Sequence, residues 1–328
     1  MKKYLEKLYQ HQSLTQEEAF DALQQISVNK VNASQIASFI TVFLMRGLST
    51  QEFKGFSDAL LNLCIPIKFD KEVMDVCGTG GDGKSTFNIS TLTALVVASY
   101  GIPVAKHGNY GVSSISGSSN VLEYLGYQFT NDTDGLKKQL DQHNICFLHA
   151  PLFHPALKQA APIRKELGIK TFFNMLGPLI NPASPQNRMI GVYNQEIGRC
   201  YHYLLQQSAG NYTIVHSIDG YDEISTTADF KLFHQNGEEQ VSMQDLNIPI
   251  VNHKDLSGGN TIAEAAKIFV GILQGKGTVA QTNAIAVNTG IAIETITKKD
   301  RLHCIEIAKE IILSGKAYHT FNQLIKNN

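Results

Sequence analysis

Four glycines in six positions separate two apolar segments of this chain, and no other feature constrains its fold as strongly. Residues 73–77 form a short apolar run typical of a strand, Gly78 to Gly83 contain the four glycines, and residues 87–100 are apolar in a pattern typical of a helix. A strand, a glycine loop and a helix in this order can cradle phosphate, because glycines let backbone N–H groups face an anion and the helix N-terminus adds its positive dipole end. The sequence therefore predicts an anion site.

The glycine segment also fits a nucleotide-binding pattern. Gly78 to Ser85, with Lys84 before the serine, matches the P-loop pattern G-x-x-x-x-G-K-[ST]. Asp82 argues against a P-loop, because a carboxylate inside the cradle would repel phosphate oxygens unless a metal or a sugar hydroxyl intervenes. A P-loop enzyme also needs an apolar strand that ends in Asp, and the nearest candidate, residues 212–219, is interrupted by a histidine and a serine. A P-loop nucleotidase remains one hypothesis.

The apolar pattern divides the chain into a helical part and an alternating part. Residues 1 to 66 show helical spacing, with helix starts predicted at Thr15, Asn32 and Ser49 and a helix stop at Gly47. Strands and helices alternate from residue 73, which implies a mostly parallel sheet flanked by helices. The predicted strands cover residues 73–77, 103–106, 145–149, 171–173, 189–193 and 213–218, with an edge hairpin at 230–233 and 240–243 around Asn236-Gly237. The predicted later helices cover residues 154–167, divided or kinked by Pro162, and then 261–273, 280–291, 300–313 and 318–325.

Length and composition limit the classes of function. A chain of 328 residues is too long for one ordinary core and suggests two domains. The net charge of −1 argues against a nucleic-acid partner held by a strongly basic surface, and no apolar run approaches the roughly 18 residues that span a bilayer. The first residues lack the apolar region of a secretory signal, and five scattered cysteines without a C-x-x-C fit reduced thiols. We therefore expect a cytoplasmic protein with no membrane and no nucleic-acid partner.

Six short blocks follow one another along the chain. They are Gly78-Thr79-Gly80-Gly81-Asp82 with Asn88-Ile89-Ser90-Thr91, Lys106-His107-Gly108-Asn109, the serine-rich segment 112–118, Arg164-Lys165-Glu166-Leu167-Gly168, the segment 173–182, and Gly220-Tyr221-Asp222-Glu223-Ile224-Ser225. Taken together and in this order, the blocks resemble the anthranilate phosphoribosyltransferase family. The P-loop match is then a coincidence, in which Lys84 and Ser85 follow a different kind of glycine loop.

The resemblance implies a reaction, its substrates and its metal. The family joins the amino group of anthranilate to C1 of 5-phosphoribosyl 1-diphosphate, in tryptophan biosynthesis, and diphosphate leaves. The implied contacts to the phosphoribosyl diphosphate come from Gly78, Gly81, Asp82, Thr86, Asn88, Ile89, Ser90, Thr91, Lys106, His107, Gly108, Asn109, Ser113, Ser114 and Ser118. The implied contacts to anthranilate come from Gly78, Asn109 and Arg164, and two magnesium ions per active site are implied on Ser90, Asp222 and Glu223.

The resemblance also implies an architecture. A small helical domain, residues 1–66 completed by about 154–177, stands beside a large α/β domain, residues 73–153 and 178–328, with the active site in the cleft between them. A homodimer through the N-terminal helices is implied, for which Ile36, Ile40, Phe43 and Leu44 are candidate contacts or, equally, core residues.

Several implied roles also have a physical reason in the residues themselves. Lys106 follows a predicted strand, at the sheet edge where α/β folds bind ligands, and is expected to be a mobile positive charge suited to phosphate. Asp222 and Glu223 follow another predicted strand, and Mg²⁺ prefers such oxygen ligands. Arg164 can pair with a carboxylate through two hydrogen bonds. His107 and His154 are expected to line the pocket first, because an aromatic amine is already neutral at pH 7 and can attack without prior deprotonation, and accepting a proton is their alternative role.

Two positions depart from the family pattern and keep alternatives open. Tyr110 stands where the family usually has Arg, and Ile115 stands where many members have Lys. Both changes remove positive charge, which Lys84 would partly replace. A pyrimidine nucleoside phosphorylase of the same fold and a relative that binds nucleic acid without catalysis are the remaining alternatives. Asn109, Arg164 and the Asp222-Glu223 pair favour the anthranilate reaction.

Overall fold

The structure is a computed structural model that describes residues 1–111 and 117–327. The chain folds as two compact units, each built from two separate segments. The helical unit comprises Met1–Ile67 and Ala150–Ser184, and the α/β unit comprises Lys68–His149 and Pro185–Asn328. Among the described residues, no helix has both the length and the apolar character that a membrane span requires.

Fifteen α-helices and seven strands are present in the described part of the chain. The helices are α1 (Lys2–Tyr9), α2 (Gln16–Ser27), α3 (Ala33–Arg46), α4 (Thr50–Leu63), α5 (Ile89–Tyr100), α6 (Ser118–Tyr124), α7 (Thr133–His143), α8 (Ala150–Phe153), α9 (Ala160–Leu167), α10 (Phe173–Leu176), α11 (Gln195–Leu205), α12 (Ile262–Leu273), α13 (Val279–Thr297), α14 (Arg301–Leu313) and α15 (Lys316–Lys326). The strands are β1 (Met74–Gly78), β2 (Val104–Gly108), β3 (Ile145–His149), β4 (Asn187–Gly191), β5 (Asn211–Ser217), β6 (Phe230–His234) and β7 (Gly237–Val241).

The helices of the helical unit begin where the sequence predicts. The Thr15 hydroxyl accepts the Glu18 N–H at 3.2 Å and the Glu18 carboxylate accepts the Thr15 N–H at 2.9 Å, which is a complete capping box. Ser49 forms the same box with the residue three positions later, and the Asn32 side chain caps α3. Helix α3 ends at Arg46 and Gly47 is its C-cap, in agreement with the predicted helix stop. These starts are confirmed because each depends on neighbours in the sequence only.

An aromatic cluster fills the centre of the helical unit. Phe39 on α3 lies edge-on to Phe43 and Phe56, with ring centroids 5.0 and 5.8 Å away, and Phe56 stacks on Phe172 at 4.8 Å. Such edge-on and offset pairs stabilise a core beyond the area that they bury. Ile36, Ile40 and Phe43 are buried in this unit, so they are core residues, whereas Leu44 and Met45 on α3 are exposed.

Two predicted elements of the helical unit are wrong in detail. Residues 171–173 form no strand: Phe173 begins α10, and the Asn174 side chain accepts the Thr171 N–H at 3.0 Å to form a turn. Three apolar residues are too few for periodicity to separate a strand from a helix. Pro162 does not kink a helix, because a 3₁₀ turn ends before Gln159 and α9 starts at Ala160. Pro162 then lies in the first turn of α9, where its missing N–H costs no helical bond.

The α/β unit contains one seven-stranded sheet in the order β3-β2-β1-β4-β5-β6-β7. The five strands from β3 to β5 are parallel, and β6 and β7 add an antiparallel hairpin at the edge. Its turn is Gln235-Asn236, one position before the predicted Asn236-Gly237, because Gly237 already pairs with His234 as the first residue of β7. The buried helix α5 packs against β1 and against α13. The predicted fold class is therefore confirmed. The strand order reverses between β1 and β4, and open α/β sheets bind ligands beyond the carboxyl ends of the strands at such a point.

Candidate functional site

The glycine loop, residues 78–86, leaves the carboxyl end of β1 in a left-handed conformation. Gly80, Gly81 and Gly83 have φ angles of 67°, 80° and 76°, and Ser85 has a φ of 53°. Glycine adopts this region at the lowest cost, which explains why three of these four positions are glycines. A remote segment then holds the end of the loop in place, because the Gly258 N–H donates to the carbonyl of Ser85 at 3.0 Å.

The pair Asp222-Glu223, here called the carboxylate turn, lies directly against the glycine loop. The Asp222 carboxylate accepts the Gly80 N–H at 2.6 Å, and the Glu223 carboxylate accepts the Ser90 N–H at 2.9 Å. A Cβ atom at Gly78 would overlap the Asp222 carboxylate, and one at Gly191 would overlap the Asp222 carbonyl oxygen. Two glycines on adjacent strands therefore make room for the turn, and the predicted loop and metal residues form one site.

The carboxylate turn concentrates negative charge that the protein only partly neutralises. The pKa of Asp222 is raised to about 7, mainly because the carboxyl group is buried and secondly because the charge of Asp82 is nearby. Burial, and next Asp222, raise the pKa of Glu223 well above its usual range, while the Ser90 N–H and the charge of Lys106 act in the opposite direction. A cation at this place would relieve the repulsion and let both carboxyl groups ionise.

The donor set suits a hard divalent cation that keeps water or takes substrate oxygens. Within the described ranges, no three His, Cys, Asp or Glu side chains are arranged to hold a metal by themselves. Mg²⁺ is usually bound by one or two carboxylates together with phosphate oxygens and water. Buried Asp222 and half-buried Glu223 fit this requirement.

Lys106 differs from its prediction. It lies within β2 rather than after it, is only 3 % exposed, and its ammonium donates a hydrogen bond to the carbonyl of Val76 on β1. It is therefore a fixed, buried charge and not a mobile one. The next residue, His107, is also buried, and its N–H donates to the Asp75 carboxylate at 3.1 Å.

The start of α5 places the other predicted phosphate residues beside the loop, with two differences from expectation. The N–H of Ser90 already binds Glu223, and the N–H of Ile89 donates to the carbonyl of Phe87 at 2.7 Å, so neither is available to phosphate in this structure. Thr91 is 1 % exposed, and its hydroxyl has no hydrogen-bond partner among the residues described. Asn88 and Thr86 are partly exposed.

The end of β2 brings a second group of predicted residues together. The Asn109 side chain accepts the Tyr110 N–H at 2.8 Å, and its carbonyl accepts the Ser118 hydroxyl at 3.2 Å. A Cβ atom at Gly108 would meet the Ser118 hydroxyl oxygen, so this approach also needs glycine. Ser113 and Ser114, like the departure at Ile115, lie outside the described residues.

Tyr110, which replaces a family arginine, is tied to its own unit. Its hydroxyl donates to the Glu123 carboxylate at 2.7 Å, and its ring lies edge-on to His149, with centroids 4.6 Å apart. The residue thus contributes packing and a hydrogen bond where the family pattern has a positive charge.

Arg164, which the sequence predicts to bind anthranilate, lies on α9 of the helical unit. Its guanidinium lies 5.1 Å from the centre of the Phe173 ring and donates to the Asn174 side chain at 3.3 Å. Burial lowers the pKa of Arg164, and no carboxylate of the described helical unit forms an ion pair with it. Such a cation favours an anionic ligand. His154, in the same unit, is buried.

Sequence reasoning missed two residues that support the site. Gly191 accommodates the carboxylate turn, and Asp75 fixes the backbone of β2 at His107. A glycine in the middle of the predicted strand 189–193 was the only signal for the first, and a charged residue inside an apolar strand was the signal for the second.

Comparison with known proteins finds family models and relatives that together match nearly the whole chain. Residues 70–318 match the model of the glycosyl transferase family, a/b domain, and residues 2–64 match that of the glycosyl transferase family, helical bundle domain. The anthranilate phosphoribosyltransferase of Flavobacterium psychrophilum is 53 % identical over 99 % of this chain and 98 % of its own length. The enzyme of that name from Thermus thermophilus has a similar structure, with a TM-score of 0.90 at 29 % identity over 98 % of both chains. The Saccharomyces cerevisiae enzyme, in complex with PRPP and Mg, has a TM-score of 0.91 at 26 % identity over 99 % of this chain and 96 % of its own.

Proposed function

Because this chain belongs to the anthranilate phosphoribosyltransferase family, we propose that it transfers the phosphoribosyl group of 5-phosphoribosyl 1-diphosphate to the amino group of anthranilate. The products are N-(5-phosphoribosyl)anthranilate and diphosphate, and the reaction belongs to tryptophan biosynthesis. One structural observation carries the proposal: the glycine loop and the carboxylate turn are joined by the hydrogen bonds of Asp222 to Gly80 and of Glu223 to Ser90. The proposed phosphate-binding loop and the proposed cation-binding residues are therefore in direct contact.

The transfer needs charge neutralisation more than acid–base chemistry. The bond from C1 to the diphosphate oxygen breaks while the anthranilate nitrogen forms a bond to C1, and the nitrogen then loses a proton to water. The leaving group gains negative charge as the sugar carbon becomes cation-like, so a preorganised set of dipoles and cations accelerates the step. Contacts to the phosphoribosyl diphosphate are proposed for Gly78, Gly81, Asp82, Thr86, Asn88, Ser90, Thr91, Lys106, His107, Gly108, Asn109, Ser113, Ser114 and Ser118. A contact is also proposed for Ile89, whose N–H would first have to leave the carbonyl of Phe87. The fixed charge of Lys106 would act on the diphosphate indirectly, through its electrostatic effect on Glu223 in the carboxylate turn.

Magnesium is the proposed cofactor, at two ions per active site. Ser90, Asp222 and Glu223 would hold the ions, together with diphosphate oxygens and water. When bound, the ions neutralise charge on the departing diphosphate. The raised pKa of Asp222 supports this proposal, because the carboxylate turn favours protonation until a cation arrives.

Arg164, Asn109 and the backbone at Gly78 are the proposed contacts of anthranilate. The Arg164 guanidinium would bind the ring carboxylate with two hydrogen bonds, and it has no competing carboxylate in its own described unit. Asn109 would contribute its amide. No histidine needs to act as a base, since the aromatic amine attacks in its neutral form, and the burial of His107 and His154 agrees with a packing role for both.

The assembly and location of the enzyme are further proposals. We propose that the helical unit and the α/β unit are its two domains. A homodimer through the N-terminal helices would cover the exposed side chains of Leu44 and Met45, the latter 84 % exposed on α3. All five cysteines are free thiols, which supports a cytoplasmic location.

A fluorescence assay tests the proposed reaction. Anthranilate fluorescence is followed with purified protein, 5-phosphoribosyl 1-diphosphate and Mg²⁺, and we expect it to fall until one substrate is consumed. A parallel reaction contains a pyrimidine nucleoside and phosphate, and we expect no free base to form. Base release without loss of anthranilate fluorescence would favour the nucleoside phosphorylase alternative and overturn the proposal.

A further inference from the structure

Lys84, the residue that completes the P-loop pattern, has no role in the reaction proposed above. Its ammonium lies 4.7 Å from the centre of the Tyr221 ring. Tyr221 is 2 % exposed and directly precedes the carboxylate turn. A cation above an aromatic ring is attracted by the negative face of the ring, and the attraction is stronger where water is excluded. Lys84 therefore connects the glycine loop to the base of the carboxylate turn.

The backbone of Lys84 makes a second connection on the same side. Its N–H donates to the Asp82 carboxylate at 3.0 Å. Asp82 is the carboxylate whose charge helps to raise the pKa of Asp222 and of Glu223. One residue thus orients a carboxylate of the loop through its backbone and the neighbour of the carboxylate turn through its side chain.

Tyr221 also contacts His253. The Tyr221 hydroxyl and the His253 ring nitrogen Nδ1 are 2.6 Å apart, and the two rings stack with centroids 5.6 Å apart and planes at 12°. His253 begins a 3₁₀ turn, His253–Leu256, and the Phe87 N–H donates to the carbonyl of Leu256 at 3.0 Å. The contacts therefore close a ring: from the glycine loop through Lys84 to Tyr221, then to His253, and back along the 3₁₀ turn to the end of the loop.

We propose that Lys84 is a positioning residue, which holds the carboxylate turn against the glycine loop through the Tyr221 ring. The proposal rests on the proposed function, because the turn has its role only if it serves diphosphate and its metal. Lys84 acts through Tyr221 and makes no contact with phosphate. A lysine that binds phosphate directly, as in a P-loop, is the outcome against which the proposal is tested.

The test is a double-mutant cycle between Lys84 and Tyr221. Lys84→Met keeps the stem and removes the charge, Lys84→Arg keeps a cation for the ring, and Tyr221→Leu removes the ring. Two quantities are measured for each variant: the KM for 5-phosphoribosyl 1-diphosphate with its kcat, and the Kd of diphosphate with Mg²⁺ by calorimetry. Lys138→Met, an exposed lysine on α7, is the matched control.

The expected results separate positioning from a direct contact. Lys84→Met raises the KM and the Kd about fivefold, as expected for an interaction of about 1 kcal/mol, and changes kcat less. Lys84→Arg leaves the KM and the Kd close to the wild-type values, and Lys138→Met changes neither. In a protein that already carries Tyr221→Leu, Lys84→Met has no further effect on the KM or the Kd. Equal losses from Lys84→Met with and without the ring would mean that Lys84 binds phosphate directly, and the proposal would be wrong.

A second variant keeps the test valid if Tyr221→Leu does not fold. Tyr221→Phe preserves the ring, so the fivefold effect of Lys84→Met must persist in its presence, and Lys84→Arg must still restore binding. Loss of either result overturns the proposal. An inactive wild-type protein that still binds diphosphate with Mg²⁺ contradicts the proposed reaction only, because the calorimetric cycle still reports on Lys84. Absence of diphosphate binding by the wild type contradicts both.

Discussion

The carboxylate turn of the α/β unit and helix α9 of the helical unit hold charged side chains in opposite ways. Asp222 and Glu223 accept backbone N–H groups, yet burial and their like-charged neighbours raise their pKa values. Arg164 rests on the Phe173 ring, has no acidic partner in its own described unit, and has its pKa lowered by burial. Lys106 only partly balances the first region and no carboxylate pairs with the second, so a ligand of opposite charge would complete each: the proposed metal at the first and a carboxylate at the second.

The two regions also differ in what positions the charged group. Backbone N–H groups and the close approach of Gly78 and Gly191 fix the carboxylate turn, whereas side chains alone fix Arg164. Backbone positioning leaves little freedom, so the first region is expected to respond to substitution by loss of chemistry. The second is expected to respond by loss of affinity for one substrate.

The largest effect is expected at the carboxylate turn. Asp222→Asn keeps the acceptor for the Gly80 N–H but removes the charge that would hold magnesium, so kcat/KM should fall at least about a hundredfold. The anthranilate fluorescence assay measures this change. Asp245→Asn, at an exposed aspartate, is the control and should leave the rate unchanged. An Asp222→Asn enzyme within about threefold of the wild type would remove Asp222 from the metal site.

A substrate-specific effect is expected at α9. Arg164→Ala should raise the KM for anthranilate by about tenfold to a hundredfold, the range for a lost charge-assisted pair, and leave the KM for 5-phosphoribosyl 1-diphosphate unchanged. Steady-state kinetics with each substrate varied in turn measures both values. Arg199→Ala, at a surface arginine, is the matched control. Equal changes in both KM values would show that Arg164 does not distinguish the substrates.

The same Asp222→Asn change should stabilise the protein when no ligand is bound. The pKa of Asp222 is about 7 in the folded protein and about 3.9 in an unfolded chain, so between these values the folded state binds more protons and its stability falls as pH rises. The asparagine variant avoids this loss. Its free energy of unfolding should exceed that of the wild type by about 1 kcal/mol or more at pH 8 and by much less at pH 4.

Urea unfolding without metal or phosphate at the two pH values measures the difference. Added Mg²⁺ and diphosphate should stabilise the wild type more than the variant. An asparagine variant that is less stable at pH 8 would contradict the raised pKa.

The smallest effect is expected at the ring beneath Arg164. Phe173→Leu keeps an apolar side chain but removes the aromatic face, so the KM for anthranilate should rise about twofold to fivefold. The thermal midpoint of the variant shows whether the core is intact. In the Arg164→Ala background the same change should have no further effect on the KM. An independent effect there would mean that Phe173 contacts the substrate itself.

Local signals made part of the fold predictable. The capping boxes at Thr15 and Ser49 depend on residues close in sequence and were found where expected, and the hairpin turn was found one position before the predicted Asn236-Gly237. The apolar segment 171–173 was too short to show a period, and a side-chain hydrogen bond from Asn174 determined its turn. A sequence pattern predicts an element reliably when residues close in sequence determine the conformation of that element.

The site was predictable where a motif places residues on one loop, and less so where distant strands meet. Resemblance to a family identified the glycine loop and the carboxylate turn, but the buried bond of Lys106 to Val76 depends on the pairing of β1 with β2. The need for glycine at position 191 depends on the approach of Asp222 from another part of the chain. Such contacts arise only from the tertiary fold.

A crystal structure with 5-phosphoribosyl 1-diphosphate and Mg²⁺ tests the central claim most directly. The diphosphate should lie along the glycine loop beside Gly81 and the start of α5 at Ser90, with metal density on Asp222 and Glu223. A donor bound elsewhere, with no metal at the carboxylate turn, would contradict the claim that this turn recruits the cation and the diphosphate.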